Sequence, residues 1–200
     1  MFAAPLLFAL AASAREGPAR LPRADPALVD AGFTLKNREW CIAPSGAQAG
    51  DGVVAENCTQ SAKFPGWNLS GGGIDSPHHL RVANTTLCLS AGTNWSQWDD
   101  NLAVTLEECM YATANETWRN TQVWRKDVQL APGAYRLMDQ DWMSPHDYFP
   151  TKWCMDVRDG WEPNDINSWD LQIFRCASNS NTKPNPNQVF TDNWKQVPGA

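Results

Sequence analysis

Apolar and polar residues alternate in three short segments that each end at a cysteine. In each segment the residues five and three positions before the cysteine are apolar, and those four and two before it vary freely. The segments are Val53-Val54-Ala55-Glu56-Asn57-Cys58, Val104-Thr105-Leu106-Glu107-Glu108-Cys109 and Leu171-Gln172-Ile173-Phe174-Arg175-Cys176. A period of two is typical of a β-strand with one buried face. We therefore predict three strands with one face on the core and the varying face outside.

Further strand-like segments recur around each of these three. An upstream set alternates aromatic or aliphatic with polar residues, as Phe33-Thr34-Leu35, Leu80-Arg81-Val82 and Tyr135-Arg136-Leu137. A downstream set comprises Gly66-Trp67-Asn68-Leu69, Gln122-Val123-Trp124 and Gln188-Val189-Phe190. A further segment surrounds the first cysteine of each repeat, at Cys41, Cys88 and Cys154. Together these segments give each repeat four short strands. The pattern predicts an all-β domain of twelve strands in three repeats that closes on itself.

The six cysteines stand in two alternating contexts. The first context places Cys between apolar residues, as in Trp40-Cys41-Ile42, Leu87-Cys88-Leu89 and Trp153-Cys154-Met155. The second context is the end of the alternating strands. An even number suits an oxidised disulfide framework, but the residues alone leave 15 pairings open.

The N-terminal residues have the pattern of a secretory leader. An apolar run of eleven residues, 2–12, is followed by the small-x-small sequence Ala12-Ser13-Ala14. The run is shorter than the roughly 20 apolar residues that span a bilayer. We therefore predict a signal peptide at 1–14, an unstructured linker at 15–32, the domain at 33–194, a tail at 195–200, and a secreted protein with no membrane span.

Acceptor sequences for N-glycosylation agree with the predicted passage through the secretory pathway. We take four positions as candidates: Asn68, Asn84, Asn94 and Asn115. Asn57 is a fifth match and the weakest one, because Cys58 occupies its middle position.

Composition narrows the class of protein. Hydrophobic residues make up 42% of the chain and charged residues 19%, which indicates one globular domain. The net charge of -6 argues against a nucleic-acid partner, which a basic surface would bind. Eleven tryptophans either fill a core or stack on flat ligands.

Taken together, these motifs resemble the ricin B-type lectins. The likeness rests on the apolar context of Cys41, Cys88 and Cys154, on the spacing to the following cysteine, and on a Gln-x-Trp signature. That signature is complete at Gln122-Val123-Trp124, softened at Gln188-Val189-Phe190 and degraded at Pro65-Gly66-Trp67. The resemblance covers Phe33 to about Trp194. It implies a β-trefoil of three four-stranded repeats with disulfides Cys41–Cys58, Cys88–Cys109 and Cys154–Cys176.

The resemblance also implies one sugar pocket, preferring galactose-type glycans. The pocket positions of this family are all matched in the third repeat, by Asp156, Gln172, Phe174, Asn187 and Gln188. The first two repeats keep only Gln122 of the corresponding set, so they are expected to be structural.

The chemistry of these residues suits a sugar. If Cys154 pairs with Cys176 across antiparallel strands, Asp156 lies roughly opposite Phe174, with Gln172 on the same outer face. A carboxylate accepts two hydroxyl hydrogen bonds, amides both donate and accept, and an aromatic face can stack on a pyranose. Against this, Asp156 could serve only a turn, and Gln188 could be purely structural.

The third repeat carries an insertion of eleven residues, about 140–150, which includes Trp142, Tyr148 and Phe149. One interpretation is an extra rim that reads a second sugar or an aglycone. The alternative is that these aromatic residues pack against the barrel.

Other function classes find less support. The histidines His78, His79 and His146 lack metal-ligand spacing and are expected at the surface; no metal, cofactor or catalytic group is predicted. The main alternative is a secreted β-trefoil protease inhibitor or protein-binding module with a vestigial sugar pocket. A monomer with one site would bind glycans or glycoproteins without cross-linking them.

Overall fold

The computed structural model describes residues 19–20, 33–70, 77–92, 98–110, 119–127, 133–141, 144–158, 168–176 and 185–193. For 19–20, 62, 70, 119–120, 139–141, 144–149 and 168–169 the description covers the backbone alone. These ranges contain fourteen strands, three short 3-10 segments and no α-helix. The strands are β1 (Ala19–Arg20), β2 (Leu35–Asn37), β3 (Trp40–Pro44), β4 (Val53–Asn57), β5 (Trp67–Ser70), β6 (His78–Val82), β7 (Leu87–Ser90), β8 (Leu102–Ala103), β9 (Thr105–Glu108), β10 (Val123–Lys126), β11 (Tyr135–Asp141), β12 (Ser144–Val157), β13 (Ser168–Arg175) and β14 (Thr191–Asp192).

The strands form three antiparallel repeats that close into a ring. The second and third strands of each repeat pair as β3–β4, β7–β9 and β12–β13. The first strand of each repeat pairs with the second, as β2–β3, β6–β7 and β11–β12. The fourth strand of each repeat then pairs with the first strand of the next, as β5–β6, β10–β11 and β14–β2. The last pair joins the end of the domain to its beginning, so the predicted closure is confirmed.

The three repeats also meet through their alternating strands. The backbone N–H of Val53 donates to the Val104 carbonyl at 3.1 Å, and the Val104 N–H donates to the Leu171 carbonyl at 2.9 Å. These three residues hold the same place in their repeats, and each is at most 2% exposed. Because Val104 bonds to two other repeats, the predicted third strand of the second repeat is divided there into β8 and β9.

The apolar core is filled by residues at equivalent places in the three repeats. Trp67 and Trp124 are fully buried, and Phe190 holds the equivalent place in the third repeat at 1% exposure. Each indole Nε1 donates to the carbonyl of the residue that follows the first cysteine of its repeat. Trp67 donates to Ile42 at 2.9 Å and Trp124 donates to Leu89 at 3.0 Å. The tryptophans described at these places therefore fill the core rather than stack on a ligand.

The predicted core face of the alternating strands is confirmed. All six predicted positions are buried, at 2% exposure or less: Val53, Ala55, Val104, Leu106, Leu171 and Ile173. The three disulfides join Cys41 to Cys58, Cys88 to Cys109 and Cys154 to Cys176, the pairs implied by the resemblance.

Some predicted boundaries differ from the structure. The predicted strand Gln188-Val189-Phe190 does not form: Gln188 ends a 3-10 segment, Pro186–Gln188, and Val189 and Phe190 connect that segment to β14. A proline at its first position and the Asn185 side chain, which accepts from the Asn187 N–H, favour this tight turn. Inside the predicted linker, Ala19 and Arg20 form β1, which pairs with Tyr148 and Asp147. The rest of that linker, the signal peptide and the tail lie outside the described residues.

The insertion lengthens a hairpin of the third repeat. Its backbone continues β11 and β12, with register shifts between Arg136 and Met138 and between Gln140 and Asp141. Trp142 and the side chains of Tyr148 and Phe149 lie outside the description, so the proposed contact with a second sugar stays a prediction. Across the described ranges we find no helix with the length and apolar character to cross a membrane.

The expectation of surface histidines is wrong for two of the three. His78 is fully buried and His79 is 3% exposed. They lie on β6 between neighbouring strands: His78 packs edge-on against the Tyr135 ring, and His79 Nε2 lies 3.0 Å from the Met110 carbonyl. Since a carbonyl can only accept, this nitrogen of His79 carries a proton. Burial lowers the pKa of His79 to about 4, with a smaller raising effect from the Met110 bond and a lowering effect from His78.

We predict that replacing the buried indole of Trp124 by a phenyl ring, in Trp124→Phe, lowers the free energy of unfolding by about 1–3 kcal/mol. The Leu89 carbonyl loses its donor, and the smaller ring leaves a void. Urea unfolding followed by circular dichroism measures the change. Trp40→Phe, at a half-buried tryptophan packed on the same core, is the control and should cost less. Equal losses would contradict the role of the indole hydrogen bond.

We also predict that His79 makes the protein acid-sensitive. Its pKa lies below the value of about 6.5 in an unfolded chain, so the unfolded state binds a proton first as the pH falls. Stability is therefore complete above pH 6.5 and falls by up to about 1.4 kcal/mol per pH unit toward pH 4. His79→Gln keeps an amide donor and removes the titration. Urea unfolding at several pH values should give the variant a shallower decline, and identical slopes would refute the assignment.

Candidate functional site

The predicted sugar-site residues lie mainly on the hairpin of β12 and β13. Cross-strand pairs place Cys154 opposite Phe174 and Asp156 opposite Gln172. Opposite residues point to the same face of a sheet, and side chains two residues apart share that face. Asp156, Gln172 and Phe174 therefore line one face, while Met155 and Ile173 enter the core from the other.

At the centre of this face lies a buried polar pair. The Gln172 amide donates from Nε2 to Asp156 Oδ1 at 2.9 Å. Asp156 is 3% exposed and Gln172 is 4% exposed. The Oε1 atom of Gln172 is buried and accepts no hydrogen bond from the described residues. An unmade hydrogen bond at a buried acceptor costs about 1–3 kcal/mol, so this atom has a strong demand for a donor.

Two details of the predicted geometry are wrong. Asp156 lies opposite Gln172 and not opposite Phe174, because the register pairs Phe174 with Cys154. The varying face is also not wholly outside, since Gln172 and its counterpart Val54 are both buried. A ligand must therefore displace covering atoms to reach the Asp156–Gln172 pair.

The other predicted residues differ in what they do. Phe174 is half-buried beside the pair. Asn187 is half-buried on the 3-10 segment that packs against β12, and its backbone N–H donates to Asn185 Oδ1 at 3.1 Å. Gln188 is 1% exposed and donates from Nε2 to the Arg175 carbonyl at 2.9 Å.

Gln188 has an equivalent that explains its role. Gln122 donates to the Glu108 carbonyl at 3.0 Å. Both acceptors immediately precede the second cysteine of a repeat. Gln188 therefore stabilises the end of β13, next to Phe174, by a hydrogen bond to its backbone. This is the structural role that the sequence left open. The sequence also predicted that Gln188 contacts the ligand directly. For that contact, the same side-chain amide would have to bind the ligand and the Arg175 carbonyl together.

The same cross-strand place in the other repeats holds different chemistry. Ala43 lies opposite Val54 in the first repeat, and Ser90 lies opposite Thr105 in the second. The Ser90 hydroxyl donates to the Gly92 carbonyl at 2.7 Å, and the Thr105 hydroxyl donates to Glu107 Oε1 at 3.4 Å. Of the three equivalent pairs, only that of the third repeat combines a carboxylate with an amide.

Sequence reasoning missed the outer end of this face. Asp170 lies two residues before Gln172 on the same strand and is exposed. It faces the exposed Arg158, whose backbone N–H donates to the Asp170 carbonyl at 2.9 Å. The alternation of the strand could have revealed Asp170. Ala103, which pairs with Gln172 from β8, comes from another repeat and gave no local signal.

Chemically, the face offers a carboxylate, an acceptor without a donor among the described residues, and a partly exposed ring. This set suits a neutral ligand that carries several hydroxyl groups. No cluster of three or more His, Cys, Asp or Glu side chains suited to a metal ion occurs among the described residues.

The predicted glycosylation acceptors are not equivalent. Asn68 is 2% exposed inside β5, where a bulky glycan is incompatible with the packing. The fold therefore contradicts that candidate. Asn84 is exposed in the turn between β6 and β7. Asn94 and Asn115 lie outside the described residues.

No protein-family model and no curated protein sequence matches the chain. The solved structures that resemble it include a toxin and a designed protein. One is described as the structure and mode of action of a mosquitocidal holotoxin, with a TM-score of 0.51 and 17% identity over 80% of this chain. The alignment takes in 16% of the toxin, so the chain spans about one-sixth of its length.

The second similar structure is a designed 3-fold symmetric protein, ThreeFoil, with a TM-score of 0.50 and 14% identity. The match covers 80% of this chain and 96% of ThreeFoil. Identities this low carry information about the fold alone. Together with the closed ring of three four-stranded repeats, they identify the chain as a β-trefoil.

Proposed function

We propose that the protein is a secreted carbohydrate-binding β-trefoil with one sugar site, in its third repeat. The observation that carries this proposal is the buried Asp156–Gln172 pair, in which Gln172 Oε1 has no donor among the described residues. A purely structural pair has no need of an unmet acceptor, whereas a sugar hydroxyl would supply the missing donor.

The surroundings of the pair favour a sugar over other hydroxyl compounds. The Asp156 carboxylate can accept from one hydroxyl while Gln172 Oε1 accepts from its neighbour. Phe174 is partly exposed beside them and offers a flat face to the C–H side of a pyranose. Galactose-type glycans are our first choice, on the resemblance to ricin B-type lectins. We propose binding without a chemical step, to glycans or glycoproteins outside the cell.

Three disulfides agree with the proposed secretion, since such bonds persist in oxidising compartments.

One observation favours the alternative function. Asp156 and Gln172 are at most 4% exposed, which suits a vestigial pocket in a protease inhibitor or protein-binding module. In that case exposed loops would carry the activity. The two functions differ in whether a glycan binds to the buried Asp156–Gln172 pair.

We predict that Asp156→Asn reduces glycan binding at least about tenfold, a loss of about 1.4 kcal/mol. The asparagine keeps the size of the side chain and can still accept from Gln172, but it removes the charge that strengthens a hydroxyl bond. A glycan array finds the ligand, and calorimetry with the best glycan measures the affinity.

Thr105→Val is the matched control, because Thr105 holds the place of Gln172 in the second repeat. It should leave glycan affinity unchanged. Thermal unfolding of both variants shows whether they are folded. Glycan binding that is equal in the wild type and in Asp156→Asn would place the site elsewhere. No binding by the folded wild type would favour the vestigial pocket.

A single site also sets the expected valence. We predict that the monomer binds one glycan per chain and does not agglutinate glycan-bearing cells, since cross-linking needs two linked sites. Ultracentrifugation establishes the monomer, and calorimetry gives the stoichiometry. Agglutination by a proven monomer would refute a single site.

A further inference from the structure

Asn84 occupies an exposed and well-fixed turn. It lies between β6 and β7 with a backbone φ of 61°, a left-handed conformation that asparagine tolerates better than most residues. The turn is held by Thr85, whose hydroxyl donates to the Val82 carbonyl at 2.9 Å and accepts from the Leu87 N–H at 3.1 Å. Thr86, the third residue of the acceptor sequence, is exposed.

Beside this turn the surface has an open groove of about 670 Å³. Ala47, Gln48 and Ala49 of the first repeat form one wall, and Asn84, Thr86 and Glu108 of the second repeat contribute to the other. Its size lies within the roughly 300–1,000 Å³ of small-ligand sites. The lining residues carry amide, hydroxyl and carboxylate groups as well as alanine methyls. This mixture suits the polar and apolar faces of a sugar.

The groove is held in place from both repeats. The Gly50 N–H donates to the Leu106 carbonyl at 2.7 Å, and the Leu106 N–H donates to the Asp51 carbonyl at 2.8 Å. These bonds fix the end of the wall formed by residues 47–49 against β9. The groove thus lies between the two repeats that have no carboxylate–amide pair at the described cross-strand place.

We propose that Asn84 carries an N-linked glycan whose first sugars lie in this groove. This inference depends on the proposed secretion but not on the sugar site of the third repeat. In the attachment step, the reducing-end carbon of an oligosaccharide moves from a polyprenyl diphosphate donor to Asn84 Nδ2. The carbon–oxygen bond to the diphosphate breaks, a carbon–nitrogen bond forms, the amide loses one proton, and the lipid diphosphate leaves.

The other described acceptors are less suited to this role. Asn68 is buried at 2% exposure. Asn57 is exposed, but it does not line the groove, and Cys58 occupies the middle position of its acceptor sequence. Asn84 alone among these three both is exposed and lines a groove that could hold the attached sugars.

The test uses the full chain expressed in a eukaryotic host behind an added secretory leader, so that entry into the pathway does not depend on residues 1–14. Peptide mass spectrometry should find the glycan on Asn84 and none on Asn68. Asn84→Gly, which keeps the left-handed backbone, and Thr86→Ala, which leaves Asn84 in place, should both abolish it. An unmodified Asn84 in the secreted protein would overturn the proposal.

Occupancy of the groove is tested on the glycosylated protein. Trimming only the outer sugars should leave Tm unchanged, whereas complete removal of the glycan should lower it by about 2–4 °C. In Ala49→Arg, which crowds the groove, the glycan should still attach but its removal should no longer change Tm. If complete removal leaves the wild-type Tm unchanged, the sugars do not occupy the groove. Glycan-array binding is measured separately. A failure of the proposed sugar site in the third repeat can therefore be told apart from a failure of the proposed glycan on Asn84.

Discussion

The closure of three repeats around one shared apolar core is the constraint on which the rest of this molecule depends. Each strand is short, and an isolated hairpin of this kind is at best marginally stable. Stability comes from the junction of Val53, Val104 and Leu171, where backbone hydrogen bonds join the repeats, and from the large side chains behind it. Because the ring must close, each repeat has to present the same face to the same core.

This constraint explains why the repeats could diverge on their other face. The residues at the junction are all aliphatic. The equivalent cross-strand pair on the other face differs between the repeats: Ala43 with Val54, Ser90 with Thr105, and Asp156 with Gln172. The first pair is apolar, the second satisfies its own hydroxyls, and the third leaves an acceptor unmet among the described residues. One scaffold thus holds three chemically different pairs at the same place in its three repeats.

Several features could be predicted from the sequence because they depend on local periodicity. Alternation before Cys58, Cys109 and Cys176 identified the buried strand face. Where long-range contacts decide, prediction failed. The break at Val104 arises from bonding to two other repeats, and His79 is buried on a strand that pairs with β5, β7 and β10 and contacts the Met110 carbonyl. A histidine in a polar-looking sequence gives no sign of such contacts.

The sequence by itself determined the all-β class, the three repeats, the cysteine contexts and the residue types at the candidate site. Period-two patterning and cysteine spacing are written along the chain, so neighbours in sequence suffice to read them. Only the tertiary structure decided that Asp156 faces Gln172, that Gln188 fastens β13, that Asn68 is buried and that Asn84 borders a groove. Each of these depends on the register between strands, and on packing between repeats that are far apart in the chain.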